Sequence, residues 1–300
     1  YLVALSARMR PGRALKVACD AGNGAGGLVG PELLDRLGFT VVPLFCEPDG
    51  AFPNHHPDPT VPENLEALRK TVVERGCDAG VAWDGDADRV VLVDETGAIH
   101  WPDRVMMAMA PSWLKRYPGG AVVYDVKCSA GLEQVVSAHG GKPLMVKTGY
   151  PHILEGMRAE DAVLGGEFSG HMYFGRDPLV NFDDGVHAAA RALTHFSHDD
   201  RTVSEQMRDL PGSVMTPEIR ADVAEEHKFG VVSQLVAEFQ ADPQATRVVT
   251  VDGARVSYPE GWGLVRASNT QACLVLVFEA QDEAGLRALR SRFAEKLSRH

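Results

Sequence analysis

The stretch Ala79-Gly-Val-Ala-Trp83, Asp84-Gly-Asp-Ala-Asp-Arg89, Val90-Val-Leu-Val93 carries the reading of the fold. Two short apolar runs, neither alternating with polar residues, have the length and character of strands buried on both faces. Between them lie Asp84, Asp86 and Asp88. Carboxylates at i, i+2 and i+4 in a loop from strand to strand can converge on one hard cation, and Gly85 and Ala87 leave the backbone room to fold around it. Three charges against a divalent ion leave about −1 for the set, which Arg89 offsets unless it meets a phosphate instead. The plain alternative is a solvated acidic turn, which is costly between two buried strands without a cation.

Two other loops share part of this pattern. An EF-hand places Glu at position 12, where Glu95 falls, but it requires Gly at position 6, where Arg89 stands, and helices on both sides. A phosphatase of the haloacid dehalogenase type reads D-x-D-x-[TV] after an apolar strand, and the fifth residue here is Asp88. A divalent site that serves a phosphate fits better than either.

Outward from this loop the chain alternates strand-like and helical runs through residue 210, the sign of α/β layers. Leu15–Asp20 reads as a strand, a glycine-rich turn follows, then a helix over Pro31–Leu37 closed by Gly38, then a strand over Thr40–Phe45. The same grammar recurs at Ala121–Asp125, Leu132–Ala138, Gly140-Gly141 and Pro143–Val146. The spacing predicts two similar three-layer α/β domains with mixed sheets, residues 1–98 and 99–210. Pro211-Gly212 reads as a hinge. Residues 211–300 predict a smaller α+β domain: a helical stripe of Phe229, Val232, Val236 and Phe239, strands at 247–251, 255–258 and 273–279, and a last helix N-capped by Asp282.

Composition bounds the class. The 300 residues carry a formal charge of −11, which disfavours a general nucleic-acid binder. Cys273–Phe278, among the longest wholly apolar runs, is too short to span a bilayer. Cysteines at 19, 46, 77, 128 and 273, odd in number and widely spaced, point to a reducing cytoplasm and away from a disulfide framework or a structural zinc site.

Two more stretches carry chemistry. In Gly165-Gly-Glu167-Phe168-Ser169-Gly170-His171, Glu167 and Ser169 lie two apart and face one way in an extended loop, which suits adjacent sugar hydroxyls; His171 is a candidate proton carrier. In Arg266-Ala-Ser268-Asn269-Thr270, a guanidinium, two hydroxyls, an amide and loop N–H groups make a phosphate cradle. The bland readings are a strand end with a core histidine and a polar β-turn.

Together, DGDADR, GEFSGH and RASNT resemble the metal, sugar and phosphate loops of the α-D-phosphohexomutases. DAGNGAGG, FPNHHPDP, DVKCS, KTG and NFDDG match that family in the same order, so the resemblance covers essentially the whole chain. It implies a mutase that interconverts hexose 1-phosphates and 6-phosphates, mannose or glucose, through a hexose bisphosphate. It implies Mg²⁺ on Asp84, Asp86 and Asp88, and Arg89 beside the transferring group. It further implies sugar contacts from Glu167 and Ser169, and Lys127 and His171 at the reacting oxygen. Lys147 would contact substrate, and Arg266, Ser268, Asn269 and Thr270 would hold the other phosphate.

The family's phosphoserine motif, T-A-S-H-N-P, is not in these residues; none of Ser6, Ser112, Ser129, Ser137 or Ser169 has that context. The expectation is a three-domain piece of a cytoplasmic mutase, inactive without its N-terminal nucleophile domain. Tyr150 follows KTG where related enzymes often carry His, and Phe168 replaces a commoner Met, Glu or Gln, which favours a neutral hexose. The alternative from another class is a non-catalytic sugar-phosphate-binding module, with a calcium-binding protein behind it.

Overall fold

The computed structural model describes residues 1–176 and 182–300. They form two compact units: Tyr1–Tyr124, Ala130–Leu144 and Ile153–Leu210 make the first, and Asp125–Ser129, Met145–His152 and Pro211–His300 the second.

The chain opens with α1 (Leu2–Ser6), β1 (Lys16–Asp20), α2 (Gly30–Arg36), β2 (Thr40–Leu44), α3 (Glu66–Arg75), β3 (Ala79–Trp83), β4 (Val90–Asp94) and β5 (Ile99–His100). These strands form a mixed sheet of order β2-β1-β3-β4-β5. β1 runs parallel to both β2 and β3, whereas β4 returns antiparallel to β3 with Trp83 opposite Val90. Every residue of β3 and β4 is buried, as their unbroken apolar runs require. α3 ends at Gly76, whose φ of 56° is the left-handed conformation that closes a helix without a Cβ penalty. Its Leu68 and Val72 pack with Ala18, Val91 and Val93.

α4 (Pro102–Arg116), β6 (Ala121–Asp125), α5 (Ala130–Ala138), β7 (Lys142–Val146), α6 (Tyr150–Ala159), β8 (Leu164–Gly166) and β9 (Met172–Phe174) follow, then α7 (Gly185–Phe196) and α8 (Val203–Met207). The sheet order is β7-β6-β8-β9. It reproduces β2-β1-β3-β4 strand for strand, including the parallel central pair and the antiparallel return. The repeat expected at Asp20–Gly38 and Asp125–Gly141 falls on these equivalent elements, and the α/β class holds. The DGDADR loop joins β3 to β4, and the GEFSGH loop joins β8 to β9. They therefore occupy the same place in the two copies.

β4 and β5 pair around the turn at Gly97 (φ 83°), so the first sheet runs on to His100. Hydrogen bonds join loops of the two sheets. Trp83 Nε1 donates to Gly185 O (2.9 Å), Gly185 N to Ala87 O (2.9 Å) and Val90 N to Gly170 O (3.2 Å).

The second unit contains β10 (Val214–Met215), β11 (Ile219–Asp222), α9 (Lys228–Gln240), β12 (Arg247–Val249), β13 (Ala254–Tyr258), β14 (Gly261–Ala267), β15 (Cys273–Ala280) and α10 (Glu283–Leu297). The strands form an antiparallel sheet, β10-β15-β14-β13-β12, with β11 also on β15. Leu235 and Phe239 of α9 and Leu286, Leu289 and Phe293 of α10 share its core. Phe229, placed on the buried stripe by the sequence pattern, is 60% exposed; the buried line is Val232, Leu235 and Phe239. Asp282 does cap α10, accepting from Gly285 N at 2.8 Å.

Candidate functional site

In the first unit, Asp84, Asp86 and Asp88 each place a carboxylate oxygen within 4.8 Å of the others. The turn that achieves this holds Ala87 at φ 65°, a left-handed conformation uncommon for a residue with a side chain. Asp84 is buried, Asp86 exposed and Asp88 between the two. Burial, together with the charges of Asp84 and Asp86, pushes the Asp88 carboxyl up to about 6, although His171 pulls the other way. Crowded oxygen donors with surplus negative charge fit a hard divalent cation.

Arg89 lies within this cluster. Its Nε donates to Asp84 Oδ2 at 2.6 Å, and Nη1 meets Asp58 Oδ1 at 3.1 Å. Burial alone would lower its pKa, but Asp84, Asp58 and Asp88 hold it above the usual value, so it stays charged. Asp58 is itself fixed by Thr60, whose N–H and hydroxyl both donate to Oδ1. The loop bearing Asp58 crosses the metal loop, with Pro57 over Gly85.

The segment Glu167–His171 is a tight turn and not the extended loop anticipated: Gly170 N donates to Glu167 O (3.2 Å) and Glu167 N to His171 O (2.9 Å). Glu167 and Ser169 nonetheless face one way, since Ser169 Oγ reaches Glu167 Oε2 at 3.4 Å. An isolated antiparallel bridge joins Arg89 to His171. His171 Nδ1 lies 2.8 Å from Asp183 Oδ2 and 3.7 Å from Asp88 Oδ2. Burial would lower the imidazole's pKa, but the Asp183 hydrogen bond and the charges of Asp88 and Glu167 raise it. Tyr173 Oη also donates to Asp183, at 3.3 Å. Phe168 is buried, its ring 5.8 Å from that of Trp101.

The remaining expected residues belong to the second unit. Arg266, on β14, is buried, and its Nε donates to Asp252 Oδ2 at 2.7 Å. Its Nη2 is buried with no partner among the described residues, as a guanidinium built to receive an anion would be. Thr148 N donates to the same Asp252 oxygen at 3.2 Å. Ser268 is buried, while Asn269 and Thr270 are exposed. Lys127 is buried and paired with Glu218 at 2.7 Å. Lys147 and Tyr150 are exposed.

Sequence reasoning assigned no role to Asp58, Asp183 or Asp252, each of which orients a residue it did single out, nor to Tyr173, which donates to Asp183. Asp58 and Asp183 lie in FPNHHPDP and NFDDG, so the motifs pointed to them without saying what they do. The first residue of NFDDG, Asn181, lies outside the described residues.

Family models for phosphoglucomutase/phosphomannomutase match in sequence order: alpha/beta/alpha domain II on residues 1–97, alpha/beta/alpha domain III on 101–232, and the C-terminal domain on 218–296. The chain belongs to this family. The phosphomannomutase/phosphoglucomutase of Pseudomonas putida is 46% identical over 285 residues, 95% of this chain and 61% of that protein. A phosphoglucomutase of Neisseria gonorrhoeae is 43% identical over 94% of the chain and 61% of its own length. A family protein of Burkholderia thailandensis, solved by X-ray crystallography, superposes with a TM-score of 0.90 at 39% identity, over 99% of this chain and 63% of that one. The chain thus spans about three-fifths of the length of the curated family members it matches.

Proposed function

We propose that these residues form the metal-, sugar- and phosphate-binding parts of a cytoplasmic phosphohexomutase that interconverts hexose 1-phosphates and 6-phosphates, with mannose and glucose as the sugars, through a hexose bisphosphate. The observation that supports it most is the joining of the DGDADR and GEFSGH loops by the Arg89–His171 bridge and the Val90–Gly170 hydrogen bond. A carboxylate cluster suited to a cation thereby adjoins a carboxylate and hydroxyl suited to sugar hydroxyls. Each group has a role in this reading. Asp84, Asp86 and Asp88 would hold Mg²⁺, which when bound offsets the charge of a phosphoryl group. Arg89, kept cationic by Asp84 and Asp58, orients that group's oxygens. Glu167 and Ser169 grip sugar hydroxyls. His171, held through Nδ1 by Asp183, presents Nε2 to the reacting oxygen, and Lys127 is a second candidate there. Arg266 offers its buried Nη2 to the non-reacting phosphate, with Ser268, Asn269 and Thr270 beside it; Lys147 is a further exposed cation for substrate. Positioning and charge stabilisation of this kind carry most of the catalysis in phosphoryl transfer. The division into domains at residues 98 and 210 belongs to the same proposal, as does a nucleophile domain preceding these residues.

Calorimetric titration with glucose 1,6-bisphosphate tests the reading. Arg266→Ala should cost about 1.5–3 kcal/mol through lost charge-assisted hydrogen bonds, and Glu167→Ala should weaken binding through lost hydroxyl contacts. Inorganic phosphate should compete in the Glu167 variant and lose its hold in the Arg266 variant. Unchanged affinity in both would overturn the assignment of both loops.

A further inference from the structure

Lys228 is the first residue of α9, and its side chain is 1% exposed. Nothing about the helix calls for a cation there. A helix N-terminus carries partial positive charge, and burying an ammonium costs both solvation and side-chain freedom. Its salt-bridge partner Glu225, at 2.6 Å, is 62% exposed, and an ion pair with one end in solvent returns little. The other partner is more informative. Lys228 Nζ donates to Gln271 O at 3.1 Å. Gln271 follows directly on Arg266-Ala-Ser-Asn-Thr270, and its carbonyl also accepts from Cys273 N at 2.9 Å. On the opposite side of the same turn, Ser268 Oγ accepts from Thr270 N (3.3 Å) and Gln271 N (3.1 Å), while Ser268 N donates to Cys273 O (3.0 Å). The turn is therefore closed by its own hydrogen bonds and anchored at one carbonyl by a buried cation from a different element.

We propose that Lys228 is a positioning residue for the Ser268–Gln271 turn, fixing it through the Gln271 carbonyl in the conformation that receives a phosphate. This rests on the reading of that turn as the phosphate loop, so the test includes a variant that addresses the loop directly. Inorganic phosphate is titrated into the 300-residue chain, into Lys228→Met, Lys228→Arg and Arg266→Ala, with amide hydrogen exchange followed over residues 268–273. We expect Lys228→Met to bind phosphate three- to tenfold more weakly, with faster exchange in the turn, and Lys228→Arg to recover most of the affinity. If the methionine variant does not fold, Lys228→Gln, which keeps a donor but no charge, takes its place with the same expectation. A merely structural role would lower thermal stability and leave the affinity of the folded protein unchanged. That result, with Arg266→Ala still weakening phosphate, would overturn the role of Lys228 alone. Phosphate binding indifferent to Arg266→Ala would instead overturn the loop's assignment and this inference with it.

Discussion

His195 stands in the last turn of α7, and burial with His198 nearby pushes its imidazole down to about 4. An unfolded chain protonates it near 6.5. Between these values the unfolded state takes up a proton that the folded state refuses. Stability contributed by the neutral ring is therefore complete above about pH 6.5 and is lost as pH falls toward 4. Urea unfolding at pH 4.5 and 7 should show about 1–2 kcal/mol less of this pH dependence in His195→Gln than in the parent chain; parallel curves for the two proteins would contradict the buried-histidine account. Single residues also show what a sequence reveals and what it hides. Asp84, Asp86 and Asp88 were legible because their convergence is a local property of alternate residues in a short turn. Asp58 and Asp183 were not, because they reach Arg89 and His171 from 31 and 12 residues away. Nor was the packing of Phe168, whose ring turns onto Trp101, far away in the chain.

At the level of elements, β1, β3, β6 and the cap of α10 were readable from apolar runs and turn residues. β14 was not: no strand was expected between residues 258 and 273, yet Gly263 lies in mid-strand opposite Phe278. A Cβ on Gly263 would stand 2.6 Å from the Phe293 ring, so this glycine serves close packing of helix on sheet. Gly185, at the start of α7, has a comparable duty toward the DGDADR loop. A Cβ there would meet Arg89 O at 2.6 Å and Ala87 O at 2.8 Å, both backbone atoms that cannot swing aside. Gly185→Ala should cost about 1–3 kcal/mol of stability by overpacking. It should also weaken Mg²⁺ binding toward the level of Asp86→Asn, since Ala87 must move when its carbonyl does. Thermal melts and Mg²⁺ titration of the two variants would check this, and a Gly185→Ala protein indistinguishable from the parent would refute it.

For the molecule as a whole, the order of motifs made the family legible, because three motifs in one sequence order are a long-range pattern that survives divergence. How those loops are held was not, since that depends on packing between elements far apart in the chain. We expect these 300 residues to bind hexose bisphosphate and to show no turnover of mannose 1-phosphate. Phosphoryl exchange needs a nucleophile that accepts and returns the group, and no serine here has the family's context. A coupled assay comparing this chain with a fusion to a phosphoserine-bearing domain of the family, and with the same fusion carrying that serine as alanine, decides the matter; metal-dependent turnover by the 300 residues alone would disprove it.

The backbone rungs between the two loops bear on descent and on engineering. Ala87 and Val90 on one side are bonded to Gly185 and Gly170 on the other, so residues 84–90 meet residues 167–171 and Gly185 as complementary halves of one joint. A chimera that imports the first segment from a distant relative and keeps the second would join surfaces shaped for other partners. Recombination should therefore tolerate crossovers outside this pair and select against those that divide it, so that the two loops are inherited together.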